Sequence, residues 1–287
     1  MNVTTALRLG RVSNLPTVLT NVAAGLALSG AAFGESLMLS LGMAISVMYV
    51  GGMYLNDAFD REIDKRERPE RPIPSGQVSA ATVFAVGFGM LALGLVIIAI
   101  ATRLRGQGGA CLLAAMALAA AIVAYDAFHK QNPFSPLLMA LCRVLVYVTA
   151  ALGTGAPLTL RVGWGCLVLL CYLIGLTYAA KQENLTEPRG MWPLLLMQLP
   201  FLAYAIAFAS PAVGVMFLLS FGWVSYCLVF LVHPGRRNIK RAVGYMIAGI
   251  SLLDGMLVAS QGLALVAALC VAAFGLTLLA QRFVPGT

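Results

Sequence analysis

Ten separate stretches of this 287-residue chain are apolar over about the length that crosses a bilayer, and no water-soluble core can hold them all. They fall near residues 15–33, 36–55, 79–101, 108–125, 135–153, 164–181, 192–210, 212–232, 242–260 and 263–281. The link around Gln261 and Gly262 is short enough that nine spans plus a re-entrant or interfacial piece is the other arrangement. Only 10% of the residues are charged and 60% are hydrophobic, against about 25% charged in a soluble domain. Lipid offers backbone groups no hydrogen bonds, so each stretch must satisfy its own as a helix. The expected fold class is all-α, a polytopic membrane helical bundle of nine or ten transmembrane helices, forming one integral-membrane domain over residues 1–287.

The basic residues set an expected orientation. With the N-terminus inside, the loops and termini on that side carry fifteen Lys and Arg, among them Arg61, Lys65, Arg66, Arg68, Arg71, Lys130, Lys181 and Lys240. The other side carries three, Arg103, Arg105 and Arg161. Positive charge stays on the cytoplasmic face. We therefore expect an integral membrane protein in contact with membrane lipids, with its acidic motif facing the cytoplasm. Arg8 and Arg11 precede the first apolar run, which is long enough to span and is followed by further spans, so it is expected as a retained helix rather than a cleaved leader. The net charge of +8 is scattered over short loops and does not point to nucleic acid. All six cysteines fall in apolar segments without a CxxC pair, which suits packing. Two histidines, His129 and His233, are too few for a conventional zinc site.

One polar cluster resists explanation by folding alone. Residues 56–64 read Asn-Asp-Ala-Phe-Asp-Arg-Glu-Ile-Asp, placing Asp57, Asp60 and Asp64 three and four apart on one helical stripe at the end of an apolar segment. Three like charges so close resist ionising together, and a divalent cation relieves them. Oxygen ligands of this kind suit Mg²⁺, which takes its other ligands from water and substrate phosphate. Arg68 and Arg71 follow and can grip phosphate bidentately. Pro69, Pro72 and Pro74 are expected to end the helix and fix an extended loop beside it. A second polar stretch, Tyr178 to Glu187, holds Lys181 and sets Glu183 and Glu187 four apart on the same expected side. This equivalent placement hints at two halves meeting at a site, though simple solvation of that loop is an equal reading.

Several polar residues sit inside expected spans. Arg143 is costly there and must face a cavity or a partner; diphosphate is the favoured partner, Asp126 the other. Asp254 raises the same question. Asn21 needs hydrogen-bond partners and is expected to line a cavity. Tyr125 and Lys130 close the fourth span, where Lys130 either adds charge to a phosphate cradle or anchors the helix end. Small residues such as Gly42 and Ser46, or Gly153 and Gly155, are expected to permit close helix packing.

In these motifs the chain resembles the UbiA-type intramembrane prenyltransferases, in a divergent, EboC-like bacterial branch, which implies a bacterial inner membrane. The family's first signature, Asn-Asp-x-x-Asp-x-x-x-Asp, is met by Asn56, Asp57, Asp60 and Asp64, and its basic, proline-rich continuation by Arg68, Arg71, Pro72, Pro74, Ser75 and Gly76. The resemblance implies a helical bundle, usually of nine helices, that uses Mg²⁺ to move an isoprenyl group from a prenyl diphosphate donor to an acceptor. It implies that Asn56, Asp57, Asp60 and Asp64 hold the metal and the donor diphosphate. The family's second motif, Asp-x-x-x-Asp, is replaced by Glu183 and Glu187, and a Tyr-x-x-x-Lys motif is approximated by Tyr125 and Lys130, one residue too far apart.

The expected function is thus Mg²⁺-dependent prenyl transfer within the membrane to an unidentified small-molecule or lipid acceptor. Asp57, Asp60, Asp64, Glu183 and Glu187 are the expected catalytic and metal-binding acids, the glutamates serving as second-ion ligands or as general base. Asn21, Asn56, Arg68, Arg71, Tyr125, Lys130, Arg143, Tyr178 and Lys181 are the expected substrate-binding residues. A secondary transporter or a non-catalytic polytopic protein on the same bundle is the alternative. Cytoplasmic carboxylates beside arginines, rather than at the bilayer midplane, weigh against a transporter.

Overall fold

The computed structural model describes residues 2–32, 34–106, 109–130, 132–182 and 192–286, and among them helices are the only regular elements. A short α1 (Val3–Leu9), capped by the side chain of Asn2 on the Thr5 amide, precedes α2 (Leu15–Leu28). Then come α3 (Glu35–Phe59), the short α4 (Arg61–Glu67), α5 (Ala80–Leu104), α6 (Ala110–Phe128) and α7 (Ser135–Leu152). The chain continues through α8 (Leu160–Lys181), α9 (Trp192–Ala207), α10 (Pro211–Val232), α11 (Ile239–Ala259) and α12 (Ala264–Ala280).

Each of the ten apolar stretches forms a helix, but they are not ten equal spans. Seven are long and apolar enough to cross a membrane: α3, α5, α6, α7, α8, α10 and α11. This is an integral membrane protein. The other three, α2, α9 and α12, are shorter apolar helices of 14, 16 and 17 residues. The first expected segment is therefore too long: α2 stops at Leu28, where Gly30 turns the chain with φ +73°. Nearly every residue of α2 is buried by other helices, so its apolar sequence reflects the protein interior and not the thickness of lipid.

The long helices divide into inner and outer ones. Within its most apolar window α11 is 83% buried, whereas α5 is 28% buried and shows Leu93, Val96 and Ile100 at its surface. The inner α11 packs against α2, α8, α10 and α12, and α2 in turn packs against α7 and α3. Close approach comes from missing side chains. A Cβ on Gly25 of α2 would stand 2.6 Å from the Tyr147 carbonyl of α7, and one on Gly51 of α3 would stand 2.8 Å from the Gly87 carbonyl of α5. Gly42 and Gly153 are packing glycines as expected, a Cβ on Gly153 falling 2.6 Å from Leu41. Gly155 is not: it has φ +81° and makes the turn after α7.

Gly25→Leu is expected to lower the thermal stability of the detergent-purified protein by about 1–3 kcal/mol or more, since the obstacle is backbone. Gly89→Leu, where nothing lies within 4 Å, is expected to leave the melting temperature nearly unchanged. Equal melting of the two variants would remove the close-packing account.

Candidate active site

Asn56 and Asp57 lie in the last turn of α3, Asp60 follows it and Asp64 lies in α4. Asp60 stays in the helical region, φ −78° and ψ −4°, and the amides of Asp60 and Asp64 still reach the carbonyls four residues back, at 3.0 and 2.9 Å. The path is thus almost one helix, and the three aspartates share a face as their spacing requires, with Asn56 beside them. That face points inward: Asn56, Asp57, Asp60 and Asp64 are only 7, 7, 5 and 3% exposed. Carboxylates withdrawn from water must be paired.

The pairing draws in four other parts of the chain. Arg11 donates from one Nη to both Asn56 Oδ1 and Asp57 Oδ1, each at 3.1 Å. Arg71 reaches Asp57 at 3.3 Å and Asp64 at 2.7 Å. His129 Nε2 and Lys130 Nζ both stand 3.4 Å from Asp60 Oδ2. Asn56 Nδ2 donates to Asp126 Oδ1 at 3.1 Å. The proline-rich loop is not extended as expected. It closes in successive turns, with the amides of Ser75, Gly76 and Gln77 bonded to the carbonyls of Arg71, Ile73 and Pro72, and Gly76 at φ +75°. Those turns bring Arg71 back over α4, where Asp57 and Asp64 hold it. Arg68 is half-buried in the same loop.

Arg11 adopts φ 41° and ψ 46°, the single positive φ outside glycine among the described residues. This conformation costs an L-residue about 1–2 kcal/mol. It persists because the guanidinium, 19% exposed, is locked onto α3. Burial is the largest single influence and lowers the Arg11 pKa, but Asp57, Tyr49, Tyr125 and Asp126 together outweigh it and raise the value. The acids differ among themselves. Burial pushes Asp60 up, yet His129 and Lys130 together hold it below the usual carboxylate range. Burial pushes Asp64 up as well, and with Asp57 and Asp60 nearby it stays above that range despite Arg71.

Beside this cluster a cavity of about 150 Å³ opens between α2, α3, α6, α7, α8 and α11. Arg11, Tyr125 and Asp126 line its polar end, next to Asn56 and Asp57; Val18, Met48, Leu118, Ile122, Leu173 and Ile250 supply apolar wall. Arg143 also lines it. Asp126 is not its partner: Arg143 donates to Asn21 Oδ1 at 2.7 Å and Thr17 Oγ1 at 3.2 Å, and lies over the Tyr49 ring at 5.5 Å. Asn21 is oriented in turn by Asp254, which accepts from Asn21 Nδ2 at 2.8 and 3.0 Å, from Thr20 and from Tyr147. Asn21 itself is fully buried behind Arg143 rather than at the cavity wall.

Tyr178 and Lys181 are not among the described residues lining this cavity. Lys181 donates to the Asn132 carbonyl at 3.0 Å, which ties the end of α8 to the loop that carries Lys130. Tyr178 is half-buried on α8. Glu183 and Glu187 lie outside the described residues. Two members of the cluster were not singled out from sequence. Arg11 reads there only as an orientation charge. His129 is four residues after Tyr125, the spacing of the Tyr-x-x-x-Lys motif, and its ring stacks on Tyr125 with centroids 4.8 Å apart.

The donor set fits a hard divalent cation shared with a ligand. It is all oxygen, and Asp126 Oδ2 is buried without a hydrogen-bond partner among the described residues. No group of three His, Cys, Asp or Glu among those residues is close enough to hold an ion by itself. Such a site needs a ligand's own oxygens to complete it, which is how Mg²⁺ is commonly bound.

Comparison with known proteins gives the family and the fold. The model of the UbiA prenyltransferase family matches residues 18–236. Digeranylgeranylglyceryl phosphate synthase of Ignicoccus hospitalis is 42% identical over 88 residues, 31% of this chain and 28% of that protein. The corresponding protein of Metallosphaera sedula is 32% identical over 90 residues, 31% of this chain and 30% of that one. The chain thus matches under a third of the length of these two curated relatives. Among solved structures, a UbiA homolog from Aeropyrum pernix K1 superposes with a TM-score of 0.70 at 17% identity, covering 86% of this chain and 97% of that one. A UbiA homolog from Archaeoglobus fulgidus bound to GPP and Mg²⁺ superposes at 0.53 with 16% identity, covering 94% and 99%. These structures share the fold.

The two shifted acids predict opposite effects on stability. A carboxylate with a lowered pKa stabilises the fold above its unfolded pKa and loses that contribution as pH falls through its folded pKa. A raised one favours the fold only while protonated and loses that as pH rises. At pH 7 in chelator, Asp60→Asn is therefore expected to lower the melting temperature, by about 1–3 kcal/mol for the lost charged contacts. Asp64→Asn is expected to leave it equal or higher. A fall of similar size in both variants would show that pairing with Arg71 outweighs burial at Asp64.

Proposed function

As the chain belongs to the UbiA prenyltransferase family, we propose that it transfers an isoprenyl group from a prenyl diphosphate to an acceptor within the membrane, and that residues 1–287 act as one domain. The observation that carries this reading is the buried group of Asp57, Asp60 and Asp64, ringed by Arg11, Arg71, His129 and Lys130, at the polar end of an apolar cavity. A diphosphate with a hydrocarbon tail has the same division. Its anionic head belongs with the cations and its tail with Val18, Met48, Leu118, Ile122 and Ile250. The fifteen-to-three charge bias supports placing this end at the cytoplasmic face, and the EboC-like resemblance supports a bacterial inner membrane.

Asn56, Asp57, Asp60 and Asp64 would hold Mg²⁺, with Asp126 Oδ2 as a further oxygen. When bound there, the ion would supply positive charge that offsets the charge of the diphosphate. Arg11, Arg71 and Lys130 then turn from the carboxylates toward the phosphate, with Arg68 beside them in the loop. As the C1–O bond breaks, its electron pair leaves on diphosphate, and these cations stabilise the developing charge. Arg143, fixed in place by Asn21 and Thr17, presents a further positive group along the cavity. The acceptor's nucleophile forms the new bond to C1 and gives up its proton, for which Glu183 or Glu187 is the proposed base. Tyr178 and Lys181 lead into that stretch. The apolar cavity keeps water from the allylic centre. The name shared by the relatives favours a glyceryl phosphate acceptor over an aromatic acid or a porphyrin.

Purified protein with Mg²⁺ and prenyl diphosphates of several chain lengths is expected to release diphosphate when the acceptor is present. Asp60→Ala is expected to lower that release by roughly 100-fold or more, the scale for losing one preorganised electrostatic partner. Unchanged release in Asp57→Ala, Asp60→Ala and Asp64→Ala alike would overturn the assignment.

A further inference from the structure

We propose that a second cavity, between the middle of α10, the start of α11 and the end of α12, binds the phosphate headgroup of an anionic membrane lipid. It measures about 640 Å³ and lies among Trp223 of α10, the first turns of α11 and the end of α12. Lys240, Arg241 and Arg282 line it, and no carboxylate is among its described lining residues. Three like charges on one concave wall raise the local potential and draw an anion. Arg241 is held in place: its Nε donates to Tyr245 Oη at 2.9 Å, and its guanidinium lies over the rings of Phe230 and Tyr245 at 4.9 and 5.2 Å. Among the described residues no carboxylate comes within ion-pair distance of Arg241 or Arg282. The wall also includes the N-terminal end of the 21-residue α11, where the helix dipole adds positive potential.

Two observations favour a lipid over free phosphate. Trp223 and Leu278 form an apolar side of the cavity, and Leu276 and Leu279 on the same helix are exposed where lipid chains would cover them. The cavity also stands at the same end of the bundle as Asp57. Gly286 lines both cavities, its carbonyl accepts from Asn14 Nδ2 at 2.8 Å, and Gln281 Nε2 donates to Asn14 Oδ1 at 3.0 Å. Asn14 is three residues from Arg11, so the cavity opens at the interfacial level where headgroups lie. Basic pockets between helices at that level commonly take phosphate headgroups.

The inference does not rest on prenyl transfer, because its test reads lipid retention. Full-length protein in mild detergent is mixed with phosphatidate and phosphatidylcholine of matched chains, and bound lipid is counted by native mass spectrometry. Phosphatidate is expected to be retained in preference. That preference is expected to fall about fivefold for each charge removed, first in Arg282→Gln and again in Arg241→Gln/Arg282→Gln, the scale for one basic residue at an anionic surface. Arg282→Gln alone, an exposed side chain beyond α12, carries the test if the double variant does not fold. Inorganic phosphate at millimolar concentration is expected not to displace phosphatidate; full displacement would overturn the lipid assignment in favour of a soluble phosphate compound. Equal retention of both lipids, or a preference unchanged by either variant, would overturn the site itself.

Discussion

Four acidic side chains shut away from both water and lipid impose the strongest constraint on this protein. Asp57, Asp60, Asp64 and Asp126 gather where α3 and α6 end, and each needs a compensating charge or donor close by. That need organises the chain around them. Arg71 spans Asp57 and Asp64 and thereby folds the proline-rich loop back over α4. Arg11 spans Asn56 and Asp57 and fixes the N-terminal segment, helped by Tyr54 Oη donating to the Ala6 carbonyl at 3.2 Å and Thr5 Oγ1 to Gln77 at 2.9 Å. The strained backbone at Arg11 belongs to this arrangement.

The same electrostatic problem recurs deeper in the bundle with a different solution. Asp254 is completely buried on α11 and accepts from Thr20, Asn21 and Tyr147 on two neighbouring helices. A carboxylate that accepts from the amide of Asn21 leaves the carbonyl oxygen of Asn21 facing Arg143. The guanidinium is thereby presented to the cavity by neutral groups, rather than cancelled by direct contact with an anion. A positive charge that is oriented but unneutralised is what an anionic ligand can use. The cations around Asp57, Asp60 and Asp64 are different, since each is already paired with a carboxylate.

The cavity joins these two polar systems through an apolar interior. Its walls come from six helices, and three of those, α3, α6 and α7, are long enough to cross the membrane while contributing polar groups at one end or along one face. Outward faces such as that of α5 are apolar because lipid is their solvent. Apolar composition therefore says little about which helix lines the cavity and which meets lipid. That division follows from the small residues, Gly25, Gly51 and Gly87, that let particular pairs of helices approach.

The sequence alone determined that the chain is a helical membrane bundle and that Asp57, Asp60 and Asp64 share one face, because hydrophobic run length and helical spacing are local properties. It also singled out Arg71, Arg143 and Lys130 as charges in need of partners, although it could not name those partners. Only the tertiary structure decided that α2 is a short interior helix, that Arg143 meets Asn21 and not Asp126, and that Arg11 and His129 belong to the aspartate cluster. Those contacts join residues 45 to 122 positions apart in the chain for Arg11 and Arg143, and 69 apart for His129. No local spacing encodes them: they exist because buried charges take whichever partners the packed helices bring within reach.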